Sequence, residues 1–253
     1  MSSPASLVLF DLDDTLLDHR GAVATGILQH VGSLGEPYVG FRDEKVQAYW
    51  HALEERHYHR YLTGELDFAG QRRARAMDFA DAYGVTLDDA EADEWFDAYF
   101  ERYRDSWTLF PDALPCLDRL AAAGSRTGVI TNGDPDFQSV KIARLVLGER
   151  FEHIVASGAV GIAKPAAGIF HHACALYGID PSEAVYVGDR LLTDAIGAAR
   201  AGLTGVWLNR NGDDVPPGAI GHGDDDSADP LAMAEQAGVR VISSLDELPA
   251  DLN

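Results

Sequence analysis

Six short apolar runs recur along the chain: LVLFD (7–11), RTGVITN (126–132), HIVAS (153–157), AVYVGD (184–189), TGVWLN (204–209) and VRVIS (239–243). They are near-continuous rather than alternating, the pattern of strands covered on both faces. Between the later runs the spacing becomes helical. DALPCLDRLAAAG (112–124) ends on Gly124 as a C′ glycine, and PDFQSVKIARLVLG (135–148) has Asp134 as N-cap and Pro135 in its first turn. AAGIFHHACALYG (166–178) and LLTDAIGAARAG (191–202) follow. This alternation predicts an α/β fold built on a doubly wound, Rossmann-like parallel sheet.

One region breaks the alternation. From about Asp18 to Trp107 only helix-like segments occur, in place of a connection to the second strand. The simplest organisation is a core of residues 1–17 and 109–253 with a helical domain, 18–108, inserted after the first strand. The stretch 209–230, NRNGDDVPPGAIGHGDDDSADP, is acidic and rich in Gly and Pro, and is expected to be an irregular surface segment.

Composition narrows the classes of function. At 253 residues with 46% hydrophobic positions the chain can bury a substantial core. No apolar run approaches the roughly 18 residues that span a bilayer, and MSSPASLVLFD lacks the basic start of a signal peptide. Cys116 and Cys174 stand alone, without metal or disulfide spacing, and are expected to be small buried residues. A cytoplasmic location is the expectation by elimination, and no membrane partner is expected. The net charge of −21, from 20 basic and 41 acidic residues, argues against nucleic acid as a partner. It suits a high-salt cytoplasm or a GC-rich coding bias equally. An acidic shell repels anions at long range, so any phosphate site must reverse the sign locally.

Chemistry collects where the strands end. DLDDT (Asp11–Thr15), Thr131–Asn132–Gly133, Lys164–Pro165 and GDRLLTD (Gly188–Asp194) fall after apolar runs, at the side where open α/β sheets bind ligands. Each alone is weak, and together in this order they are specific. They resemble the four motifs of the haloacid dehalogenase-like (HAD) hydrolases, a phosphatase-rich superfamily, over about residues 7 to 208. The inserted helices resemble its C1 cap, which implies a part in closing the site and selecting the substrate.

The resemblance implies roles residue by residue. Asp11 would attack phosphorus to give an aspartyl-phosphate, and Asp13 would act as general acid and then base. Thr131, Asn132 and Lys164 would hold the phosphoryl group. Asp11, Asp13, Asp189 and Asp194 would supply a Mg²⁺ site, with Asp194 either a ligand or a support to one. The residue types agree with this: a carboxylate can be a nucleophile, and an all-oxygen site suits Mg²⁺. Asp14 and Asp18 read as solvated or capping residues. Arg190 and Thr193 depart from the usual fourth motif, and Arg190 either pairs with Asp189 or points away.

The function expected is a Mg²⁺-dependent phosphomonoesterase acting on a small phosphorylated metabolite of the nucleotide or sugar phosphate type. Asp13 speaks against the dehalogenase and phosphonate-hydrolase branches, where the second aspartate is replaced. Two alternatives stay open: a phosphomutase on the same core, and a non-catalytic, receiver-like phospho-acceptor module. A receiver is about half this length and lacks the insertion. The oligomeric state is not legible.

Overall fold

The computed structural model describes residues 7–212 and 229–249. Most of the acidic 209–230 stretch therefore lies outside the described residues. The chain divides into two compact units, Met1–Asp18 with Leu109–Asn253, and His19–Thr108.

The second unit consists of α1 (His19–Leu34), α2 (Asp43–Leu62), α3 (Phe68–Asp81) and α4 (Asp89–Asp105). Helix starts follow local chemistry. Asp67 accepts from the Gly70 N–H, and Asp88 and Glu91 cap α4 reciprocally, each side chain accepting from the other's N–H at 2.9 Å. The core is aromatic: Trp50 is fully buried, with Tyr99 at 4.6 Å and Phe79 and Trp95 each at 5.4 Å between ring centroids. Gly26 lets α1 approach α4, since a Cβ there would lie 2.8 Å from the Tyr103 Cα. The arginines of the basic segment 71–75, QRRAR, are largely structural. Arg73 pairs with Asp93 at 2.7 Å, Arg72 lies over the Phe68 and Phe100 rings, and Arg75 is buried over Trp50 and paired with Glu54 at 3.2 Å. His57 is buried on Asp78 at 2.9 Å while His59 is exposed, so the two do not converge.

His30 is the misfit in this unit. It is buried edge-on against Trp95 at 4.3 Å, and neither ring nitrogen has a hydrogen-bond partner. Burial, aided by Arg102, pushes its pKa down to about 4. An unfolded chain takes up this proton near pH 6.5, so stability is retained above 6.5 and lost as pH falls toward 4. A His30→Phe variant keeps the ring contact and is expected to lose up to about 3 kcal/mol of that pH dependence. Urea unfolding of both proteins at pH 7 and pH 4.5 checks this; parallel changes would refute it.

The first unit is a six-stranded sheet of β1 (Leu7–Phe10), β2 (Arg126–Thr131), β3 (His153–Ala156), β4 (Ala184–Gly188), β5 (Thr204–Leu208) and β6 (Arg240–Ile242). All pairings are parallel, in the order β3-β2-β1-β4-β5-β6. Every strand falls within one of the six apolar runs. Around it lie α5 (Ala113–Ala122), α6 (Pro135–Arg144), α7 (Ser157–Val160), α8 (Ala167–Tyr177), α9 (Gly197–Arg200) and α10 (Pro230–Gln236). Leu7 and Leu9 of β1 join Ile130, Phe170, Cys174 and Tyr186 in one core, while the two-residue period turns Val8 and Phe10 to the other face. Strand order reverses beside β1, which makes its C-terminal end the natural ligand crevice.

Residues 191–202 depart from the uniform helix expected. Residues 191–196 form a π-helical turn before α9, with the Arg190 carbonyl accepting from Asp194 at 2.8 Å and from Ala195, five residues on, at 3.4 Å. The wider turn brings Asp194 back over the end of β4. Gly188 has to be glycine there, because a Cβ would stand 2.5 Å from the Asp194 side chain.

Candidate active site

Asp11 follows β1, with its N–H donating to the Val187 carbonyl of β4 at 2.9 Å. The next residues turn sharply: Asp14 adopts φ 60°, which Asp tolerates better than most residues, and its N–H donates to the Leu17 carbonyl. Asp14 is thus a turn residue, and Asp18 immediately precedes α1. Thr15 is buried with its hydroxyl unpartnered, and its carbonyl accepts from Arg210. The turn is held through its backbone, not through that hydroxyl.

Lys164 is the electrostatic centre. Its buried ammonium donates to Asp11 Oδ1 at 2.6 Å, Asp194 Oδ1 at 2.7 Å and the Tyr186 hydroxyl at 2.8 Å, which accounts for its three protons. Burial by itself favours the neutral amine, but Asp11 and Asp194 outweigh it and hold the ammonium charged. The lysine backbone is positioned by Asn132, whose Oδ1 accepts from the Lys164 N–H at 2.8 Å and whose Nδ2 donates to its carbonyl at 3.0 Å. Both bonds of the Asn132 side chain, expected on the phosphate, are to the Lys164 main chain. Thr131 is buried at the end of β2.

Asp11, Asp189 and Asp194 each bring a carboxylate oxygen within 4.8 Å of the others. Burial, opposed by Lys164 and reinforced by Asp194, pushes the Asp11 pKa up to about 7. Burial together with Asp194 and Asp11 drives that of Asp189 well above the carboxylate range. Three carboxylates facing one ammonium leave two negative charges when all are ionised. An all-oxygen donor set with that excess fits a divalent hard cation. Asp194 is the most constrained of the three: its Oδ2 also accepts from the Arg190 N–H at 3.0 Å. Arg190 itself is exposed, and its main chain anchors Asp194.

The Asp13 carboxylate is not in this cluster: both its oxygens accept from the Lys141 ammonium at 2.7 Å. Three partners escaped the sequence reading. Lys141 is one, and Tyr186, which also donates to the Ile130 carbonyl at 3.0 Å, is another. Trp207 is the third; its Nε1 donates to the Asp189 carbonyl at 2.8 Å and steadies that loop from β5. A polar tip inside the apolar strands AVYVG and TGVWL is the signal that could have found the last two, since buried hydroxyls and indoles need partners.

A family model for haloacid dehalogenase-like hydrolase matches residues 5–202. Phosphoserine phosphatase of Thermus thermophilus is 33% identical over 226 residues, covering 81% of this chain and 88% of the relative. Human N-acylneuraminate-9-phosphatase is 32% identical over 212 residues, covering 81% and 83%. Among solved structures, the HAD-hydrolase YfnB of Bacillus subtilis superimposes with a TM-score of 0.72 over 96% of both chains at 20% identity, a likeness of fold. The chain belongs to the haloacid dehalogenase-like hydrolases, as an enzyme of their phosphomonoester-cleaving kind.

Proposed function

We propose that the protein is a Mg²⁺-dependent phosphatase of small phosphorylated metabolites, working through an aspartyl-phosphate on Asp11. The observation that carries this reading is the pairing at the end of β1: a buried carboxylate held by a buried ammonium, beside two further carboxylates. Relatives named for phosphoserine and for a sugar-acid phosphate support the substrate class. Asp11 and Asp189 would hold the ion, with Asp194 completing the cluster. When bound, the ion offsets the charge of the carboxylates and of the phosphate approaching them.

An Asp11 oxygen attacks phosphorus in line as the ester P–O bond breaks. Asp13 gives its proton to the departing alkoxide, and the alcohol leaves. Asp13, now ionised, takes a proton from water as the water oxygen attacks phosphorus. Inorganic phosphate departs, and Asp11 and protonated Asp13 are restored. Lys164 and Thr131 hold the phosphoryl oxygens through both steps, and the Asn132 clamp fixes where the lysine stands.

Hydrolysis of a panel of phosphorylated metabolites, with Mg²⁺ and with excess EDTA, tests the reading. Turnover of at least one sugar, amino-acid or nucleoside monophosphate is expected with Mg²⁺, and at least a hundredfold less in EDTA. Phosphate release that is unchanged by EDTA, or transfer only between sugar hydroxyls, would sink it.

A further inference from the structure

The chain contains three lysines, Lys45, Lys141 and Lys164, against seventeen arginines. Two of the three are buried on Asp11 and Asp13, just after β1. The place of Lys164 is described above. Lys141 stands on α6, 128 residues away in sequence from Asp13, and its ammonium meets both Asp13 oxygens at 2.7 Å. The lysine side chain is 2% exposed, whereas that of Asp13 is 28% exposed. The ammonium also lies 4.7 Å from the centre of the Phe137 ring.

Stability is a poor reason for this arrangement. Withdrawing an ammonium from water to meet a partly solvated carboxylate costs desolvation, and an apolar side chain of the same volume would serve the fold as well. What the pair does provide is direction. In the ionised state an ammonium gripping both oxygens fixes the carboxylate plane and removes the rotational freedom that a half-exposed aspartate otherwise has; when Asp13 carries its proton, one oxygen still accepts from the ammonium and the other is left to present the proton. A compact ammonium suits the place better than the longer, planar guanidinium, which would push Asp13 outward. The helix is itself tied to the phosphoryl-binding loop. Asp134, three residues after Thr131, caps it through the Phe137 N–H, and Gln138 packs so closely under Gly133 that a Cβ there would lie 2.7 Å from its amide nitrogen.

We propose that Lys141 is a positioning residue for the reaction, aiming the Asp13 carboxyl at the ester oxygen that leaves. The inference rests on the reading of Asp13 as the proton donor. The test compares kcat/KM for an alkyl phosphate, whose alkoxide needs a proton, with that for 2,4-dinitrophenyl phosphate, whose phenolate does not. Lys141→Met is expected to lose about 10–100-fold on the alkyl ester and less than about threefold on the dinitrophenyl ester, a share of the 10²–10⁴ that general acid catalysis supplies. KM should be little changed, and Asp13→Asn/Lys141→Met should be no slower than Asp13→Asn alone. Lys141→Arg keeps the charge but shifts Asp13, so a smaller loss confined to the alkyl ester is expected; this variant carries the test should the Met variant not fold. Equal losses on both esters, or none, with Asp13→Asn still selective, would overturn the role of Lys141 alone. An unselective Asp13→Asn would overturn the proton-donor reading, and the inference with it.

Discussion

Asp11→Asn is expected to abolish turnover, by about 10⁴-fold or more, because the amide offers no nucleophilic oxygen and no covalent intermediate can form. Acid-quenched wild-type enzyme should retain labelled phosphate from a labelled substrate, and the variant should retain none. A variant hydrolysing esters at the wild-type rate would remove Asp11 from the mechanism. The fold should respond in the opposite sense. In the metal-free protein the Asp11 pKa is pushed from 3.8 up to about 7, chiefly by burial. A carboxyl raised in this way stabilises the fold fully below pH 3.8 and loses that contribution as pH rises toward 7, by up to about 4 kcal/mol. Asn does not titrate. The variant's unfolding free energy in EDTA should therefore fall less than that of the wild type between pH 4 and 7, the signature of a site that trades stability for chemistry.

The sheet was legible because its strands are buried on both faces, so that each reads as an uninterrupted apolar run ended by a polar turn. All six strands end one residue before the polar close of such a run, as Phe10 does before Asp11 and Gly188 before Asp189. The acidic cluster and Lys164 were legible for a related reason: charge at the mouth of a buried strand has few structural uses. What escaped were contacts made between distant segments. Lys141 in QSVKIAR looks like an ordinary helix lysine, yet it falls on the buried side of α6 with Gln138 and Ile142, at helical spacing. Its place on an apolar stripe, in a chain so poor in lysine, was the available clue. Tyr186 and Trp207 were hidden in the opposite way, since their rings satisfy the strand pattern and only their polar tips belong to the site. The π-helical turn at 191–196 could not be read at all; LLTDAIGAARAG has helical composition throughout, and the widening follows from where Asp194 must reach.

Lys164→Met carries the second large effect, and it separates the lysine's two tasks. Without the ammonium, Asp11 and Asp194 remain buried and facing each other, with Asp189 alongside. Leaving one side of a buried pair without its counterion costs about 3–5 kcal/mol, so the metal-free variant should unfold at distinctly lower urea than the wild type near pH 7.5. Activity should fall by about 10³-fold or more, as expected on removal of a charged group that meets the phosphoryl oxygens in the transition state. The same deletion deepens the negative charge of the acidic cluster by one. A divalent cation gains more from three carboxylates without an opposing ammonium than with one. Mg²⁺ should accordingly raise the thermal midpoint of Lys164→Met by more than it raises that of the wild type, although the variant stays inactive. An equal or smaller rise would mean that the three aspartates do not form the ion's site, whatever the activity shows, because Lys164 is bonded to two of them.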